Sequence, residues 1–136
     1  MARAERLWPL NESEGGYVNT LYRTRDQYRT NADNAIVLGE YRKASELLWG
    51  AVTQQLKAFA ATRNIAITSH RQFFELVRQL AAELKDKPIY ADFVELNALH
   101  KNFYDETIPS DLFQDLYQKA IQYIERLDAL ARKSKE

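Results

Sequence analysis

The apolar residues of this chain recur every three or four positions and almost never alternate, a spacing that restricts the chain to helices. Phe73, Val77, Leu80 and Leu84 step by four, three and four, which places them on one face of a helix turning once per about 3.6 residues. Ile89, Phe93, Leu96, His100 and Phe103 form a second stripe, and Phe113, Tyr117, Ala120, Ile124, Leu127 and Ala131 a third. Earlier, Leu21, Tyr28, Ala32, Ala35 and Ile36 fall near one face, with Arg23, Arg25, Asp26 and Arg29 largely elsewhere. Between these lies Tyr41 to Thr62, whose segment Leu47-Leu48-Trp49-Gly50-Ala51-Val52 is apolar nearly all round. Such a helix is contacted on several sides. No segment alternates for long enough to make a useful strand.

Glycine, proline and capping residues sit where the stripes stop. Gly39 suits a left-handed end to the first helix, and Thr68 or Ser69 caps the third. Lys85-Asp86-Lys87-Pro88 reads as the next loop, and Pro109 with Ser110 opens the fifth helix. The fold expected is all-α: an antiparallel bundle of about five helices over residues 17–136. Residues 1–16 read as an N-terminal arm or linker, in which Trp8-Pro9-Leu10 pins to a surface and Glu12-Ser13-Glu14-Gly15-Gly16 is a flexible connector.

Composition closes off several functions. With 136 residues and no cysteine, the chain has neither a disulfide framework, nor a thiolate zinc site, nor a cysteine nucleophile. Nineteen basic residues balance nineteen acidic ones, without the basic excess of a dedicated duplex-DNA binder. No apolar run approaches a membrane span, and Met1 to Arg6 lacks the apolar core of a signal peptide. The expectation is a cytoplasmic protein with no membrane association. Phosphate loops, nucleophile elbows and dinucleotide fingerprints are absent.

The densest chemistry lies in Leu99-His100-Lys101-Asn102-Phe103-Tyr104-Asp105-Glu106. Helical spacing sets Asn97, His100 and Tyr104 along one ridge. His70 and Arg71 open the third helix, and either histidine serves equally well as a hydrogen-bonded core residue. Asn102 and Tyr104 alternatively fasten the helix end to the following loop. The two histidines with Asp105 and Glu106 match no metal-ligand signature, so neither metal nor cofactor is expected. Arg23, Arg25 and Arg29, interleaved with Tyr22 and Tyr28, are the nucleic-acid candidates, since arginine pairs phosphates and tyrosine stacks bases. A solvated helix face is the plainer account of them.

Three blocks taken in order, Gly39-Glu40-Tyr41-Arg42-Lys43-Ala44-Ser45-Glu46-Leu47-Leu48-Trp49-Gly50-Ala51, then Ser69-His70-Arg71, then Leu99 to Asp105, resemble the PaREP-like branch of the HEPN superfamily. The resemblance implies a helical bundle, often a homodimer. It also implies a prokaryotic defence or toxin–antitoxin setting with a nucleotidyltransferase or antitoxin-like partner. Active superfamily members are metal-independent ribonucleases carrying an arginine and then a histidine on the helix corresponding to the fourth one here. That helix contains His100 but no arginine. Arg63 and His70 have the right order and spacing but straddle the connector between the second and third helices. The expected function is therefore a non-catalytic binding module for a partner protein, nucleotide or RNA. The alternatives are an endoribonuclease with His100 as general base, charge coming from Lys101, Arg71 or Arg42, and a purely structural protein.

Overall fold

A computed structural model describes residues 12–105 and 108–133, with the side chains of residues 12–15, 103–105 and 110 outside that description. Among these residues five helices follow one another: α1 (Glu12–Val37), α2 (Tyr41–Thr62), α3 (His70–Leu84), α4 (Lys87–Asp105) and α5 (Ser110–Lys133). No strand occurs among the described residues, so the molecule is the all-α bundle that the periodicity predicts. Two boundaries differ from the sequence reading. Helix α1 already begins at Glu12 and runs through Gly15 and Gly16, and α4 takes in Lys87 and Pro88. Proline is tolerated there because first-turn N–H groups lack an intrahelical acceptor. Trp8 and Leu10 lie outside the described residues.

Three helices end in the same way. Gly39 (φ 75°) follows α1, Asn64 (φ 61°) follows α2 and Lys85 (φ 52°) follows α3. At each end the left-handed residue and its successor donate back into the last turn: Gly39 to Ile36 and Glu40 to Ala35, Asn64 to Ala61 and Ile65 to Ala60, Lys85 to Ala82 and Asp86 to Ala81. This double bond satisfies carbonyls that a helix end otherwise leaves open. The start of α3 is fixed just as specifically. The Ser69 hydroxyl accepts from the Gln72 N–H, while Gln72 Oε1 accepts from the Ser69 and Thr68 N–H groups at 2.9 and 2.6 Å. That is a capping box.

Helix α2 is the axis of the bundle, packing against each of the other four. Ala44, Leu48, Ala51, Val52 and Leu56 are fully buried along it, and its small residues let neighbours come close. At Gly50 a Cβ would stand 3.2 Å from the Tyr28 ring of α1. Phe93, Leu96 and Leu99 of α4, Phe113, Ile124 and Leu127 of α5, and Leu76, Val77 and Leu80 of α3 complete the main core. Each such side chain stabilises the fold by about 1.5–3 kcal/mol relative to exposure. Among the described residues, no helix is long and apolar enough to cross a membrane.

Among the polar side chains within the core is Gln55, fully buried on α2. Its Oε1 accepts from Arg25 Nη1 at 2.6 Å. Arg25 also lies 3.6 Å from Asp128 of α5 and 2.8 Å from Asp26, and its guanidinium sits 4.7 Å from the centre of the Tyr22 ring. Only 11% of its side chain is exposed. An arginine assigned by periodicity to the solvent face is thus a strut joining α1, α2 and α5.

Candidate functional site

Where the middle of α2 meets the start of α3 and the second half of α4, the chain brings its two histidines together. His70 is the first residue of α3, placed there by the Ser69 cap. His100 comes from the α4 stripe that begins at Ile89 and Phe93, so a fixed helix carries its ring. The two imidazole centroids lie 5.6 Å apart. Trp49 of α2, only 5% exposed, backs both of them at 5.7 and 5.8 Å, its indole stacked on His100 at 28°. Phe74 flanks His70 at 5.4 Å and meets Phe93 edge-on at 4.8 Å. Each imidazole thus faces the other across an aromatic floor.

His100 is further tied to a carboxylate. Its Nδ1 lies 2.8 Å from Glu46 Oε1, with the two side chains 31% and 30% exposed. A carboxylate on one ring nitrogen fixes the tautomer and orientation of the imidazole. Because the pair is neither sealed in nor fully solvated, it meets an incoming ligand in a setting where charge is less screened than in bulk water.

Glu46 is a site residue that the sequence pattern did not single out. The signal was there: one carboxylate in the most apolar helix, three residues before Trp49, on the ridge that must face α4. Asn97 sits one turn before His100, and its Oδ1 is buried without a hydrogen-bond partner among the described residues. Asn102 is 3% exposed. It donates to Ser45 Oγ at 2.8 Å and accepts from the Ile108 N–H at 2.7 Å, fastening the α4 end to α2 and to the connector. It also lines an open cleft of about 590 Å³ beside the first turn of α2.

The remaining candidates are scattered. Arg71 is exposed and pairs along α3 with Glu75 at 3.5 Å, and Lys101 is exposed on α4. The side chain of Tyr104, like Asp105 and Glu106, lies outside the described residues. Arg23 is exposed and donates to Thr20, Arg25 is the internal strut, and Arg29 is half-buried. Two residues along a helix turn the side chain by about 200°, so Arg23 and Arg25 point apart and these arginines form no single basic face. Arg63 pairs with Glu83 at 3.0 Å, near the opposite end of α3 from His70, about 20 Å away along the axis. The spacing match between Arg63 and His70 therefore brings nothing together. Among the described residues, no group of three acidic, histidine or cysteine side chains is placed to hold a metal ion.

No curated protein and no solved structure matches the chain significantly. A family model does, across residues 22–127. That span contains Glu46, Trp49, His70 and His100, the cleft and most of the five helices, and it makes this chain a member of the archaeal PaREP1/PaREP8 family.

Proposed function

We propose that the chain is a HEPN-like helical module that binds unpaired RNA on the face built by Glu46, Trp49, His70 and His100, without cutting it. The observation carrying this reading is the pair of imidazoles 5.6 Å apart over the Trp49 indole. Flat ring surfaces flanked by hydrogen-bonding nitrogens suit splayed-out bases, which stack on aromatic and imidazole planes. The absence of arginine from α4 removes the cation that superfamily ribonucleases place beside their histidine, which favours binding over cleavage. A homodimer and a defence or toxin–antitoxin setting remain part of the proposal through the superfamily resemblance alone.

A second reading, metal-independent cleavage, is favoured by one specific contact. The Glu46–His100 pair at 2.8 Å has the geometry of an oriented general base, and His70 stands where a complementary acid would act. One experiment separates the two. Wild-type protein and His100→Ala are incubated with labelled RNA containing a long unpaired loop, in the presence of a chelator. Binding reading: wild type retains intact RNA in a shifted complex, and His100→Ala weakens it. Cleavage by wild type that disappears in both His100→Ala and Glu46→Gln establishes the second reading. RNA neither bound nor cut excludes both.

A further inference from the structure

We infer that the open cleft between the first turn of α2 and the end of α4 is a backbone-phosphate subsite for single-stranded RNA, with Arg42 and Lys43 of α2 as its cations. This rests on the RNA-binding reading above. The cleft, about 590 Å³, is lined by Tyr41, Arg42, Lys43 and Asn102, with Glu40 the one carboxylate among its described lining residues. Arg42 and Lys43 precede Glu46 by four and three residues on the same helix, so the three side chains share one side of α2. Along the axis they stand about 4.5–6 Å from Glu46. A strand whose base rests on the histidine cluster would reach the cleft with its next phosphate.

The other walls suit the same ligand. The Tyr41 ring is backed at 5.3 Å by Phe113 of α5 and keeps 38% of its surface exposed, a fixed platform for a neighbouring base. Both ends of the Asn102 amide are committed, to Ser45 and to Ile108, so that wall is rigid. The cleft is a trough open at the surface rather than an enclosed cavity, which admits a chain passing through and gives a free nucleotide few walls to bury against. Arginine and lysine are the residues that neutralise phosphate, with a salt dependence that counts the contacts.

The test is fluorescence anisotropy of a labelled, unstructured RNA octamer with the full-length chain between about 50 and 200 mM salt. The proteins compared are wild type, Lys43→Gln, the double variant Arg42→Gln/Lys43→Gln, and His100→Ala. Circular dichroism confirms that each is folded; both substituted cations are exposed, and glutamine is a good helix former. The expected result is at least tenfold weaker binding by the double variant. Its log K against log salt slope should be shallower by about 1.4, with about half that change for Lys43→Gln, since each single-strand phosphate contact contributes about 0.7. His100→Ala should weaken binding with the slope unchanged. If wild type binds and the double variant matches it in affinity and slope, the subsite is overturned while the RNA reading stands. If wild type does not bind the octamer, the RNA reading fails and takes the subsite with it. Adenosine monophosphate displacing the octamer as effectively as unlabelled octamer would overturn the assignment to a strand.

Discussion

Asn102 joins three pieces of chain with a single buried amide: α4, on which it sits, Ser45 of α2, and the connector at Ile108. Removing it leaves the Ile108 N–H unsatisfied and deprives Ser45 of a donor, each a loss of the kind that costs about 1–3 kcal/mol. Asn102→Ala should therefore lower unfolding free energy by about 2–4 kcal/mol in urea titration, against about 1 kcal/mol or less for the partly exposed His100→Ala. A second residue sets the alkaline limit of stability. Tyr123 is 3% exposed and donates to the Ile89 carbonyl at 2.7 Å. Burial, followed by the nearby Asp92 charge, pushes its phenol above the ordinary tyrosine range. Tyr117 is raised too, chiefly by its hydrogen bond to Asp33. A folded-state pKa above the unfolded one contributes stability that is complete below about pH 10 and is lost as pH rises past it. The melting temperature should fall from about pH 10 upward. Tyr123→Phe should be less stable by about 1 kcal/mol at neutral pH, through the lost hydrogen bond, yet fall less steeply in alkali.

The helices themselves were readable from residue spacing because each buries a stripe, and a stripe is written in the order of residues. Tyr41 to Thr62 coincides with α2, and the Ser69 cap and the Pro109-Ser110 entry to α5 are found as expected. The left-handed turn that closes α3 was not readable in this way, because lysine carries no left-handed preference and tertiary context alone imposes φ 52° at Lys85. An L-residue in that region is strained by about 1–2 kcal/mol. Lys85 is exposed, so Lys85→Gly should raise stability by about 0.5–1 kcal/mol, the relief of strain exceeding the added chain entropy. Gly50 presents the opposite case. With the Tyr28 ring already 3.2 Å from any Cβ, Gly50→Leu drives α1 off α2 and should destabilise by about 1–3 kcal/mol.

At the level of the molecule, one helix touches all the others and one is packed against a single neighbour. Helix α1 packs its length on α2 and otherwise reaches the bundle through side chains, Arg25 to Asp128 and Tyr117 to Asp33. Local opening follows such differences in contact. Amide hydrogen exchange should therefore release α1 first and the centre of α2, from Leu48 to Leu56, last, at the free energy of global unfolding. The bundle was predictable because amphipathic stripes of this length have few other ways to be buried. The meeting of Glu46 with His100 was not, since residues 54 apart in sequence are paired by helix order and axial offset, which no local pattern encodes. The same meeting gives the protein an optical gauge. The chain has two tryptophans, and Trp49 is pressed against both imidazoles. With Trp8 replaced by phenylalanine, emission from the remaining indole would report, unlabelled and in real time, whatever settles on that surface.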